Sequence, residues 1–547
     1  MSILLRAPSP KSRTLWKQLD DYQKEAVDFA WKAKTAALFF EQGTGKTWIS
    51  LGLLERLVNS SANASSVFVV PLANIDSTWK KTINEQLPGV YVARSLDDYV
   101  GWKKAWAGPI ILLLHYEAVP RIIKKLRKHQ FDLIVYDESQ RLKQRSSLTS
   151  RTAAKLRNNA PRKLILSGTP IDEQPSDLWA QFRFLRPNVF GTVWAEFEEE
   201  YMEPIPERLM KSLKKHPRGS MLYQRAFKML MIAKSKRSFD FDNKLDGFLH
   251  RLKPWAMRIT KDVLNLPPVE YVEEVVTLRG EQRILYETIR DDLVASLSGG
   301  SFVMAPLKVT QMVKLQQVCG GFIIDDNGET HFIGRTKLRR IKTIVEREQN
   351  RGPIVIFARY LAEIEMIRDA LSSPNHGRIV KVLSGRTPKK DRGALVGQFQ
   401  RGEIDVLVCQ IKTGGVGIDL YRSCTGIFYS HTFSFIDDDQ AKSRLHRRGQ
   451  RKKVRLFLIY AENTIDEVIH DALRRKRRLT GRVLINLTGD VLWQRKPTRR
   501  SSSTKSLTWR RSSTSRKHRC GSRFGSTTSR RPANSTAGTR RTSLTRW

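Results

Sequence analysis

The segment from Gln440 to Gln450 reads QAKSRLHRRGQ. On a helix Gln440, Arg444 and Arg447 fall four and three residues apart and share one face. Two arginines facing one way suit the negative charge that spreads over a phosphoryl group in transfer. A solvated basic helix has the same composition, so the segment gains meaning only if a phosphate site exists elsewhere. EQGTGKT, Glu41 to Thr47, meets that need. It follows an apolar run and opens a helical stretch, so the backbone of Gly43, Thr44 and Gly45 can cradle phosphate oxygens at a helix N-terminus. Lys46 would reach the β- and γ-phosphates of ATP, and the Thr47 hydroxyl would bind Mg²⁺. The strict P-loop pattern wants glycine where Phe40 stands.

Asp137-Glu138 closes the apolar run FDLIVY. At a strand end, where parallel sheets bind ligands, Asp137 can hold Mg²⁺ and Glu138 can polarise the attacking water. Ser167-Gly168-Thr169-Pro170 ends a third run and suits a hinge that senses phosphate. In the second half, TGGVGID from Thr413 to Asp419 follows DVLVC, and Gly417 and Asp419 are read as further nucleotide contacts. Each piece has a plain reading as a turn or an acidic loop; their order on strand ends outweighs those readings.

Short Val/Ile/Leu runs alternate with longer amphipathic stretches, the pattern of a parallel α/β sheet. One set is Ala36–Phe40, Val67–Val70, Ile110–Leu114, Leu133–Tyr136 and Leu164–Leu166. The other is Ile354–Phe357, Ile379–Leu383, Val406–Cys409, Ile427–Tyr429 and Val454–Ile459. The expected architecture is an ATP-binding α/β lobe over 1–189, a helical insertion over 190–336, a second α/β lobe over 337–494 and a disordered Ser/Thr/Arg-rich tail over 495–547. The methionines between Met221 and Met231 are read as helix packing.

The chain has 547 residues and a net charge of +43. Sixteen basic residues lie between Arg495 and Arg546, with no acid beyond Asp490, yet the preceding part is still strongly basic. Such a body predicts a polyanionic partner, because neutralised phosphates release counterions. No apolar run approaches the roughly 20 residues that span a bilayer, and no basic amphipathic helix carries an aromatic face; nucleic acid is favoured over a membrane. Four cysteines without CxxC spacing indicate neither a disulfide framework nor a zinc site. The expected setting is intracellular, the cytoplasm of a bacterial or phage-infected cell above the nucleus.

The motif order resembles the superfamily-two helicase-like ATPases, specifically their SWI/SNF-type branch of double-stranded DNA translocases. Leu19-Asp20-Asp21-Tyr22-Gln23 is similar to that branch's adenine-reading motif, with Gln23 as the contact. EQGTGKT stands where the branch commonly has EMGLGKT, and its members often lack the early glycine too. VVPLANIDSTW, ending at Trp79, resembles the motif that touches the DNA backbone, and DESQRLK resembles the DEAH-like box with Gln140 in place of histidine. WAMRITKDVLNLPP, around Arg258, resembles the insertion signature; QAKSRLHRRGQ resembles the last motif, with Ser443 where Asp is usual; and TIDE from Thr464 matches the segment that follows.

The resemblance implies two tandem RecA-like lobes with ATP and Mg²⁺ between them. Lys46, Thr47 and Asp137 would hold the nucleotide, Glu138 would direct water, and Arg444 and Arg447 would act as fingers from the facing lobe. Trp79, Ser384, Gly385 and Thr413 are the expected DNA-backbone contacts of a monomeric motor on double-stranded DNA. Two alternatives stay open: a strand-separating DNA or RNA helicase, and a non-hydrolysing nucleic-acid-binding scaffold.

Overall fold

The computed structural model describes residues 5–6, 14–217, 219–235, 237–298, 305–372, 377–414, 418–485 and 510–511. In β1 (Thr35–Phe40) all six residues of TAALFF are buried: Ala37 and Phe39 lie in one core, Ala36, Leu38 and Phe40 in another. Successive side chains on a strand point to opposite faces, so a continuous apolar run fits only a sheet covered on both sides. Six more strands join it: β2 (Ser65–Val70), β3 (Tyr91–Ala93), β4 (Ile110–His115), β5 (Leu133–Asp137), β6 (Arg162–Leu166) and β7 (Ala256–Ile259). Their order is β3-β4-β2-β5-β6-β1-β7 and every pairing is parallel. The C-terminal ends of β5, β6, β1 and β7 therefore stand side by side, with Asp137 level with Leu166 and Phe40 level with Ile259.

The second sheet contains β8 (Val269–Val276), β9 (Ile354–Ala358), β10 (Val380–Leu383), β11 (Val406–Gln410), β12 (Thr425–Phe428) and β13 (Val454–Ala461). Its order is β10-β11-β9-β12-β13-β8, again parallel throughout. Here too one strand feeds two cores, with Ile354 and Ile356 on one face of β9 and Val355 and Phe357 on the other. The chain is thus two parallel α/β lobes, as expected.

Two strands arise inside the stretch read as a helical insertion. β7 completes the first sheet and β8 the second, so residues 190–336 are threaded through both lobes. β8 reads VEYVEEVV, whose interspersed acids hide a strand in a search for apolar runs. An aromatic cluster further ties this stretch to the first lobe: Phe248 stacks on Phe190 at 4.4 Å, and Phe197, Tyr201 and Phe239 share that core.

The Met-rich helix corrects another expectation. Among the described side chains of Met221–Ser235, Ala226 and Leu230 are buried, while Met221 is 84% exposed and Met229 and Met231 are about half exposed. Its neighbour Glu207–Lys215 buries no residue against it, so these methionines fill no core. Of the expected disordered tail, only Arg510–Arg511 is described, as a two-residue strand parallel to β8; the rest lies outside the described residues.

The helix Ile465–Ile485 spans the lobes. Near its start, Asp466 forms a buried ion pair with Lys337. Near its end, Val483 and Leu484 enter the core of the first lobe, and the Thr480 hydroxyl donates to the Ile171 carbonyl at 3.4 Å. Among the described residues no helix is long and apolar enough to cross a membrane.

Candidate functional site

The loop after β1 turns through left-handed backbone at Gly43 (φ +88°) and Gly45 (φ +83°), and Gly45 caps the helix Lys46–Ser60. A side chain would also crowd its neighbours. A Cβ on Gly45 would stand 2.3 Å from Gln23 Nε2, and one on Gly43 would stand 3.3 Å from Arg447 Cβ. The Thr44 hydroxyl donates to the Glu41 carbonyl at 2.7 Å, closing the turn. Lys46 Nζ donates to the Phe40 carbonyl at 2.9 Å. Burial pushes its ammonium below the ordinary lysine range, against the pull of Glu138 and Asp137. Gln23, the expected adenine reader, is buried on this loop and donates to the Thr44 carbonyl at 3.2 Å.

At the end of β5, Asp137 is buried and both its carboxylate oxygens are engaged. Oδ1 accepts from the Glu138 backbone N–H, and Oδ2 from the Trp79 indole N–H, each at 3.0 Å. Burial and the adjacent Glu138 carboxylate hold Asp137 above the usual carboxylate range. Glu138 itself adopts left-handed backbone (φ +55°), strained for a residue with a side chain. Tyr116 braces that turn by donating to the carbonyls of Asp137 and Glu138. Gln140, standing where the resemblance expects histidine, donates to Glu138 Oε2 at 2.6 Å and accepts from the Ser167 hydroxyl at 2.6 Å. An amide can donate and accept at once, so Gln140 joins the acid to the hinge.

The arginine segment approaches from the second lobe. Helix Phe435–Lys442 carries Gln440, whose Nε2 lies 3.4 Å from Glu138 Oε2 across the cleft. Arg444 is buried and donates to the Ile418 carbonyl at 3.3 Å; burial and neighbouring Arg447 push its guanidinium down to about 10. Arg447 forms an ion pair with Asp419, the expected nucleotide contact. Glu138, Gln140, Gln440 and Arg444 line a cavity of about 320 Å³ with Asn74 and Lys143.

Several contacts around the site escaped the sequence reading. Lys261, just past β7, donates to Ser443 Oγ at 2.9 Å and to the His446 carbonyl at 3.0 Å. Its backbone N–H donates to Glu41 Oε2, while Arg258 pairs with Glu41 Oε1 at 3.1 Å. Lys261 thereby joins the phosphate loop to the arginine segment and explains Ser443 as its acceptor. Burial pushes this ammonium down to about 8. Arg448, off the nucleotide face, pairs with Asp20 of the first lobe.

Of the expected DNA contacts, Ser384, Gly385 and Thr413 come together at the ends of β10 and β11. Gln410 Oε1 accepts from the Gly385 N–H at 2.9 Å and the Thr413 hydroxyl at 3.3 Å. Trp79 is elsewhere: it is fully buried and commits its N–H to Asp137, so its side chain cannot face a DNA backbone. Gly417 lies outside the described residues. Thr47 lies in the first turn of the helix after the loop.

The model of the SNF2-related domain matches residues 22–321, more than half of the chain, and that of the helicase conserved C-terminal domain matches 336–449. The chain belongs to the SNF2-related family. An uncharacterized ATP-dependent helicase of Mycoplasma genitalium is 24% identical over 481 residues, covering 85% of this chain and 42% of that protein. The putative ATP-dependent helicase/translocase YwqA of Bacillus subtilis is 24% identical over 470 residues, covering 82% and 46%. The chain thus spans under half the length of these relatives. Among solved structures, the Sulfolobus solfataricus SWI2/SNF2 ATPase core in complex with dsDNA aligns over 89% of this chain and 96% of its own, at 21% identity and a TM-score of 0.37.

The site of this SNF2-related chain fits a magnesium triphosphate by its donor set. Lys46, Arg444 and Arg447 converge from two lobes, and burial lowers the first two. Cations desolvated in this way are relieved by a bound polyanion. Thr47 and Asp137 supply the hard oxygen ligands that Mg²⁺ takes.

Proposed function

We propose that this SNF2-related chain hydrolyses ATP in a DNA-stimulated cycle and uses it to move along double-stranded DNA, remodelling DNA or protein–DNA complexes. The observation that carries the reading is the meeting of two half-sites: Gln440 touches Glu138, and Arg447 packs over Gly43. In this mechanism the loop amides and Lys46 bind the phosphates, while Thr47 and Asp137 hold the metal, which shields phosphate charge when bound. Glu138, fixed by Gln140 and Gln440, orients water and accepts its proton. Arg444 and Arg447 stabilise the charge that develops on the γ-phosphoryl group. Ser384, Gly385 and Thr413 are proposed to hold the DNA backbone on the second lobe. The strong positive charge supports a nucleic-acid track.

Phosphate release measured with and without duplex DNA tests the ATPase, and equal rates would remove DNA as the track. Triplex displacement without strand displacement on a forked duplex is the expected pattern; strand displacement would favour the helicase alternative, and no turnover at all the scaffold.

Lys261→Met tests the contact between phosphate loop and arginine segment. Hydrogen bonds from a charged donor contribute about 1.5–3 kcal/mol, so turnover is expected to fall roughly tenfold or more. ATP affinity, measured by equilibrium binding, should change little; a matching loss of affinity would place Lys261 on the nucleotide itself.

A further inference from the structure

Residues 72–80 form a two-sided segment against the ATP site. After β2 the chain makes a short turn, Leu72–Asn74, and then a π-helical turn, Ile75–Lys80. Such turns are rare and frequently sit at functional sites. The outer face carries Leu72, Ala73, Asp76 and Ser77, all exposed, and Lys81 follows. The inner face carries Ile75 and Trp79, buried at 1% and 0% exposure. Trp79 meets Phe68 edge-on at 5.3 Å, which aims the indole N–H at Asp137 Oδ2. Asn74 lines the cavity that also holds Glu138, and its Oδ1 is buried without a partner among the described residues.

We propose that Trp79 is a positioning residue for the carboxylate of Asp137, the proposed magnesium ligand. The inference rests on the reading of this site as an ATP site. The physical reason is rotational. Asp137 has one oxygen fixed by the Glu138 N–H, and the indole fixes the other, so the carboxylate is held in one orientation with lone pairs left over for a metal. Partners that orient a metal-ligating carboxylate typically contribute about 10–100-fold in metal affinity or activity.

The test is Trp79→Phe, which keeps an aromatic ring against Phe68 and deletes the N–H. Binding of a fluorescent ATP analogue is titrated with Mg²⁺ in the absence of DNA, with thermal melting as the fold control. Half-saturating Mg²⁺ is expected to rise about tenfold or more. An unchanged Mg²⁺ midpoint in a folded variant would overturn the positioning role. If Trp79→Phe fails to fold, Phe68→Leu keeps the indole but loosens its aim, and it is held to the same outcomes. Failure of the wild-type chain to bind the analogue would instead defeat the ATP-site reading, and the inference with it.

Discussion

Glu138→Gln is expected to lower ATP turnover by about 10²–10⁴, the usual range for loss of a positioned proton acceptor. The substitution keeps the side chain's size, and the left-handed backbone at 138 is no costlier for glutamine than for glutamate. What changes is chemistry. An amide cannot take the water's proton, and it faces two amide donors, Gln140 and Gln440, that an acid accepts from. Removing this charge also relieves the repulsion that raises Asp137. ATP binding should therefore survive or tighten, because one fewer carboxylate opposes the triphosphate. Phosphate release by stopped flow, beside equilibrium nucleotide binding, checks both halves. Undiminished turnover would take the catalytic role from Glu138.

The second large effect is expected at Arg447→Ala. An arginine finger is worth about 10³–10⁵ in rate, and Arg447 is the better placed of the two arginines to act as one. Both donate to the Ile418 carbonyl, Arg444 at 3.3 Å and Arg447 at 3.4 Å, but Arg444 is buried. Arg447 is 22% exposed, pairs with Asp419 and packs over Gly43 of the loop proposed to bind phosphate. Alanine should leave nucleotide affinity nearly intact and suppress turnover at saturating ATP. Tight binding with normal turnover in this variant would remove the finger.

Much of the site was legible because phosphate binding is a local backbone property. Two glycines, a lysine and a hydroxyl after an apolar run specify a loop whatever surrounds it, and the loop after β1 has that form. The acidic pair was legible for a similar reason, since a parallel strand's end is where its ligands lie. The unread parts depend on distant partners. Lys261 and Ser443 are 182 residues apart, and neither residue type announces the other. Trp79 was misread because the motif resemblance assigns a role to a segment, whereas a π-helical turn decides which of its side chains faces inward. The exposed methionines were misread because composition does not say whether a facing helix exists. β7 and β8 were missed because one is four residues long and the other carries acids between its apolar positions.

The helix Ile465–Ile485 bears on how far this molecule can open. At 21 residues it is a rod of about 30 Å. Its first turns are sunk in the second lobe through Ile465, Ile469 and the Asp466–Lys337 pair, and its last turn is sunk in the first lobe through Val483 and Leu484. A rod fixed at both ends lets two bodies swivel but not drift apart. The rod thereby limits how far the arginine segment can separate from the phosphate loop.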